Sequence, residues 1–134
     1  MQLSSKVVVI TGAARGLGRA YAVAMASEGA SVLACDINEC SETVAEVRVA
    51  GGRIESAVTD VSDMKSCQAM ADAAVAAFGK IDVLVNNAAL YATLKGGRFE
   101  TLDEAQWDAV MNVNVKGTWQ CCKAVVNPMR EAGG

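Results

Sequence analysis

The chain contains no histidine, and that absence removes two large classes of chemistry. Without an imidazole there is no usual general base for a serine nucleophile and no commonest metal ligand. Serine–histidine hydrolysis and histidine-based zinc chemistry are therefore excluded. The five cysteines, Cys35, Cys40, Cys67, Cys121 and Cys122, are odd in number and lack C-x-x-C spacing. They read as small buried hydrophobes of a reducing cytosol, not as a metal site or a disulfide framework. Basic clusters are missing too. With a formal net charge of −3, nucleic acid is not an expected partner. No apolar run approaches the roughly 18 residues of a membrane span. The start, Met1-Gln2-Leu3-Ser4-Ser5, does not read as a signal peptide. No membrane partner and a cytoplasmic setting are the expectations.

An apolar fraction of 52% and a charged fraction of 20% suit a globular chain with a true core. Internal repeats, low-complexity tracts and interdomain linkers are absent, so residues 1–134 read as one domain. Short β-rich runs alternate with longer helical patterns. The strand candidates are Lys6–Thr11, Ala30–Asp36, Arg53–Thr59 and Ile81–Asn86. The first, second and fourth are near-continuous apolar runs, as expected of strands covered on both faces. Between them lie helical patterns over Gly16–Glu28, Glu39–Ala50 and Asp63–Phe78. The last has the clearest period, with Met64, Cys67, Ala71, Ala74 and Phe78 stepping by three and four. Ser62 stands at its N-cap position and Gly79 at its left-handed C-terminal position, while Gly29 and Gly51 end the other two. A capping box at Thr101-x-x-Glu104 predicts a fourth helix toward Arg130, with a break or kink at Pro128. Such alternation with short links implies right-handed crossovers, hence an α/β fold with a parallel sheet and helices on both faces. Leu90–Glu100, with Gly96-Gly97, reads as a long mobile loop at a strand's C-terminal end, where ligands bind in such sheets.

The stretch Thr11-Gly12-Ala13-Ala14-Arg15-Gly16-Leu17-Gly18 leads from the first strand into the first helix. A helix start leaves backbone N–H groups unpaired and carries partial positive charge, so a pyrophosphate fits there. Glycine lets the backbone approach such a ligand. The spacing is G-x-x-x-G-x-G rather than G-x-G-x-x-G, and no Gly-Lys-Ser/Thr follows, so a phosphate-binding P-loop is set aside. Asp36 ends the second strand, where a carboxylate can accept both hydroxyls of an adenosine ribose and repel a 2′-phosphate. Arg15 pulls the other way, because a guanidinium near the turn suits a 2′-phosphate. Asp36 is expected to dominate, giving NAD over NADP. Asp60-Val61 ends the third strand and offers two roles: holding and covering an adenine, or capping the next helix. Asn86-Asn87-Ala88-Ala89 ends the fourth, with small alanines admitting a ligand and amides tying strand ends together.

These motifs, with Asn112-Val113-Asn114-Val115-Lys116-Gly117, occur in an order that resembles the N-terminal half of a short-chain dehydrogenase/reductase. The resemblance covers essentially the whole chain. It implies a Rossmann-like doubly wound parallel sheet of strand order 3-2-1-4, with Ile81–Val85 as an open edge. It also implies hydride transfer between a nicotinamide and an alcohol or ketone substrate, in a protein that is commonly a homo-oligomer, dimer or tetramer. Carried over by position, Gly12, Arg15, Gly16, Leu17 and Gly18 would hold the pyrophosphate. Asp36 and Ile37 would meet the ribose, Asp60 and Val61 the adenine. Asn87, Ala88 and Ala89 would line the nicotinamide-ribose side, and Asn114 would hold a water in the proton relay.

Two departures stand out. Ala89 occupies the glycine position of N-N-A-G. The family's catalytic serine and Tyr-x-x-x-Lys pair belong to a later strand and helix, and the sequence reaches Gly134 without them. Tyr91-Ala92-Thr93-Leu94-Lys95 has the right spacing but follows a strand in a loop, so it reads as coincidence. The 134 residues are thus expected to be an incomplete piece of a longer domain that binds NAD without turning over substrate. Two other readings remain: a non-catalytic nucleotide-binding regulator, and an S-adenosylmethionine-dependent methyltransferase.

Overall fold

The computed structural model describes residues 1–134. Four strands, β1 (Val7–Thr11), β2 (Ser31–Asp36), β3 (Arg53–Val58) and β4 (Val83–Val85), form one parallel sheet in the order β3-β2-β1-β4. Three helices connect them: α1 (Gly16–Ser27), α2 (Ser41–Val49) and α3 (Met64–Phe78). Beyond β4 come α4 (Glu104–Val110), a π-helical stretch Met111–Gly117 and α5 (Thr118–Glu131).

Strand periodicity sorts the core into two layers. Val8, Ile10, Val32, Ala34 and Ile54 point to one face, against Ala22 and Ala26 of α1 and Val47 of α2. Val9, Leu33 and Cys35 point to the other, against Cys67, Met70, Ala71 and Ala74 of α3 and Cys121 and Val125 of α5. Every residue of β1 is buried, as required of a central strand covered by helices on both sides. The α/β doubly wound fold and its strand order are as the sequence implies.

Several local expectations change. β4 pairs over three residues only and is half-buried throughout, because β1 is its single neighbour and its other edge is open. Asp63, not Ser62, caps α3, accepting from the Lys65 N–H at 3.1 Å. Asp103, not Thr101, caps α4, accepting from Ala105 N–H at 3.1 Å. Thr101 instead ends a short 3₁₀ turn and donates to the Arg98 carbonyl. The fourth helix is divided by the π-helical stretch, and it runs through Pro128 to Glu131 without breaking. Gly29, Gly51 and Gly79 all have positive φ as helix-terminating residues. Of the five cysteines, four are buried and Cys122 is exposed.

At the N-terminal end of the sheet, the Asp82 side chain is 9% exposed and binds three neighbours. Its carboxylate accepts from Val7 N–H at 2.8 Å and pairs with Lys80 at 3.0 Å and Lys6 at 3.6 Å. Burial opposes ionisation, but the Val7 N–H and the two ammonium groups outweigh it and hold the carboxyl below its ordinary value. A depressed carboxyl stabilises the fold above its unfolded-state pKa. Asp82→Asn should therefore cost about 1–2 kcal/mol at neutral pH in urea denaturation. The difference from the parent should shrink as pH falls below the ordinary 3.8 and vanish once the folded-state carboxyl is protonated.

Burial pushes the Cys40 thiol up to about 11 and the Cys35 thiol up to about 12, so these remain unreactive thiols at neutral pH. A thiol-reactive aromatic disulfide should titrate Cys122 alone in the native chain and all five cysteines in denaturant.

Candidate functional site

The turn after β1 is built around glycines that are needed for different reasons. Gly12 has φ +69°, and a Cβ there would lie 2.9 Å from Ala88 Cα and from Asn87 Nδ2. Gly18 sits so close to the turn that its Cβ would fall 2.0 Å from the Gly12 carbonyl oxygen. Gly16 has φ +58° with no atom near its missing Cβ, so conformation alone requires it. Arg15 occupies the N-cap of α1 in extended conformation, offers no side-chain cap, and no acid lies in the first turn. The N–H groups of Gly16, Leu17 and Gly18 donate to no turn acceptor. A twelve-residue helix with an uncapped, uncompensated N-terminus is poised for an anion.

The strand ends beside it are tied to the turn by side chains. Asp36 accepts from Ala14 N–H and from Asn38 N–H, each at 3.0 Å, so its carboxylate spans the turn and its own loop. Thr43 of α2, fully buried, donates to the Ala13 carbonyl at 2.7 Å and braces the turn from behind. Asp60 accepts from the N–H and hydroxyl of Ser62 at 2.9 and 2.6 Å. It closes the turn before α3 but leaves the helix cap to Asp63. Val61 is 7% exposed. Its carbonyl accepts from Gln120 at 2.8 Å, and a Cβ on Gly117 would meet its Cγ2 at 2.7 Å. The glycine of N-V-K-G thus lets the π-helical stretch close onto β3's end.

Thr11, 2% exposed, joins β1 to the segment after β4. Its Oγ1 accepts from the N–H groups of Asn87 and Ala88, both at 3.1 Å, and Asn87 Nδ2 donates to the Gly12 carbonyl at 3.1 Å. Asn114 grips the same segment two residues further on: its Oδ1 accepts from Leu90 N–H at 2.7 Å and its Nδ2 donates to the Leu90 carbonyl at 3.0 Å.

Together these segments enclose a cleft of about 360 Å³ over the C-terminal ends of the strands. In sheet order, Asp60 and Val61 follow β3, Asp36 and Ile37 follow β2, Gly12, Arg15 and Gly16 follow β1, and Asn87, Ala88 and Ala89 follow β4. Three expected site residues do not line it. Leu17 is exposed, Gly18 is packed beneath the turn, and Asn114 acts from behind Leu90. Leu90, Tyr91 and Ala92 line it as the start of the loop expected at a ligand site, whereas sequence reading missed Asn38, Thr59 and Val113 in the lining, and Thr11 as the tie. The signal for Thr11 was its place as the last strand residue before a glycine, where a hydroxyl can reach a neighbouring strand end. A separate apolar hollow of about 180 Å³, lined by Leu102, Trp107, Val110 and Met111, lies on α4 and contains no ionisable group.

A parallel sheet of this order, with a glycine turn feeding an uncapped helix beneath a cleft at the strands' C-terminal ends, defines a Rossmann-type α/β domain. A family model described as short chain dehydrogenase matches residues 6–134, and the chain belongs to that family. It is 39% identical over 135 residues to D-threitol dehydrogenase of Mycolicibacterium smegmatis, covering 99% of this chain and 51% of that protein. Among solved structures it resembles carveol dehydrogenase from Mycobacterium avium in complex with NAD. There the TM-score is 0.92 and the identity 30%, over 98% of this chain and 52% of that one. A metagenomic short-chain oxidoreductase in complex with NADP is similar as well, with TM-score 0.88 and 37% identity, covering 98% and 60%. The chain spans about half the length of the curated relatives it matches.

Removing the Thr11 hydroxyl would strand two N–H groups in a half-buried site. Thr11→Val should destabilise the chain by about 2 kcal/mol in urea denaturation, and Thr11→Ser should recover most of that loss.

Proposed function

We propose that the chain is the cofactor-binding half of an NAD-dependent short-chain dehydrogenase/reductase acting on an alcohol or ketone. The observation that carries this reading is the uncapped start of α1 opening onto the same cleft as the Asp36 carboxylate. The residues present fit a dinucleotide. Gly12 and Gly16, which line the cleft at the helix N-terminus, would take its pyrophosphate, and Arg15 adds charge there. Asp36 is fixed by Ala14 and Asn38 and keeps lone pairs for two ribose hydroxyls. Asp60 and Val61 bound the adenine end, with Ile37 beside them. Bound there, the nicotinamide would supply a hydride acceptor or donor for a carbinol or carbonyl carbon.

At that end Ala88 and Ala89 keep the wall low and Asn87 holds the turn in place through Gly12. Asn114 enters as a positioning residue, because both polar atoms of its side chain are committed to Leu90. Residues beyond this half would supply the acid–base group in the whole protein and complete the domain beside β4. A homo-oligomer in a reducing, cytoplasmic compartment completes the reading. It is supported by the exposed apolar positions Trp107, Met111, Val115 and Trp119 on consecutive helical turns, and by the four buried thiols. The feature favouring NADP instead is Arg15, exposed on the cleft rim.

Calorimetric titration tests the choice. NAD should bind at least about tenfold more tightly than NADP, because a fixed carboxylate beside a 2′-phosphate is a like-charge contact. Asp36→Ala should narrow that gap and Arg15→Ala widen it. Tighter NADP binding by the parent chain rejects the cofactor choice, and tighter binding of S-adenosylmethionine than of either rejects the oxidoreductase reading.

A further inference from the structure

The segment after β4 is held at two points by amide side chains from one helical arm. Asn114 makes the paired contacts to the Leu90 main chain given above. Gln106 of α4 makes an equivalent pair to Lys95: its Oε1 accepts from the Lys95 N–H at 3.0 Å, and its Nε2 donates to the Lys95 carbonyl at 3.2 Å. Between the two grips the chain folds back, with Leu94 N–H donating to the Tyr91 carbonyl at 3.2 Å, as in a β-turn. The tyrosine-spaced pair Tyr91 and Lys95 therefore lies on a clamped turn, not on a helix face. Lys95 lies outside the cleft, whereas Tyr91 lines it.

Tyr91 is 84% exposed within these 134 residues. Its chain neighbours Leu90 and Ala92 line the cleft with it, and none of the three carries a charge at neutral pH. The charged lining residues, Asp36, Asp60 and Arg15, follow the other three strands. The two grips fix the main chain on either side of Tyr91, so little backbone freedom is lost when its ring packs against a ligand. Packing against a second ring adds the preference of aromatic pairs for one another.

We propose that the Gln106–Asn114 clamp presents Tyr91 as a specificity-determining residue that selects uncharged secondary alcohols and ketones bearing an aryl or cyclic apolar group. The proposal rests on the reading of the cleft as a dehydrogenase site. The alcohol gives a hydride to NAD⁺ and its hydroxyl proton to solvent, yielding ketone and NADH.

The test compares NAD-dependent oxidation of 1-phenylethanol and 3-hydroxybutyrate by the full-length protein, with NAD affinity measured for each variant. The parent should favour 1-phenylethanol in kcat/KM. Tyr91→Ala should lower that preference by about tenfold, and Tyr91→Phe should keep it. Gln106→Ala, which changes no cleft-lining residue, should lower it in the same direction. A second readout needs no turnover. In ring-labelled protein holding NAD, the Tyr91 signal, assigned by its loss in Tyr91→Phe, should shift on adding 1-phenylethanol. An unshifted Tyr91 signal overturns the proposal, and so does a Tyr91→Ala or Gln106→Ala variant that keeps the preference. It is equally overturned by a parent that favours 3-hydroxybutyrate or oxidises neither alcohol while binding NAD. Failure to bind NAD overturns the cofactor reading and this proposal with it.

Discussion

The close approach of the β1 turn to the segment after β4 is the constraint on which the rest of the site depends. There is no room for a Cβ between Gly12 and Ala88, and the gap is closed by hydrogen bonds from Asn87 to the Gly12 carbonyl and from two N–H groups to Thr11. This contact fixes where β1 and the edge strand β4 end relative to one another. The start of α1, the small alanines and the grip of Asn114 on Leu90 are all placed from it. The turn is braced on its other side by Asp36 and Thr43, so it is over-determined by groups from three elements. Such redundancy is what holds a backbone with two left-handed glycines in one conformation.

The architecture was legible in the sequence because it depends on patterns that survive without tertiary knowledge. Strand and helix patterns in alternation, glycine stops and near-continuous apolar runs lead directly to β1, β2, α1 and α3. The errors fall where competition between neighbouring residues decides the outcome. Ser62 and Asp63 can both cap α3, and Ser62 is drawn instead onto Asp60. Thr101 and Asp103 compete in the same way, and the carboxylate wins the exposed N–H. The π-helical stretch has no local signal. It arises where Asn114 must reach Leu90 while Gly117 closes onto Val61, two demands from different strands that a regular helix does not share.

The cleft lining was legible in the sequence where residues carry a distinctive chemistry and less so where they contribute only shape. Asp36, Arg15 and the glycines were found because a carboxylate or a missing side chain has a specific use beside a helix N-terminus. Val113 was missed, and Tyr91 was placed only as part of a loop, because only the folded chain shows which apolar residues face the cleft. Leu17 and Asn114 illustrate the converse: family position singled them out, yet one points to solvent and the other works through a main chain.

The brace around Asp82 sits at the opposite end of the sheet from the cleft, about 17 Å away along the five residues of β1. Between them lies a strand whose every side chain is buried. Charge changes at Lys6, Lys80 or Asp82 can thus alter how long the chain stays folded without touching what it holds. The reverse does not hold, because a change that removes a tie at the turn, as at Thr11, alters the cleft and the stability of the fold together. Sequence drift is thus freer at the Asp82 end than at the end that holds the ligand.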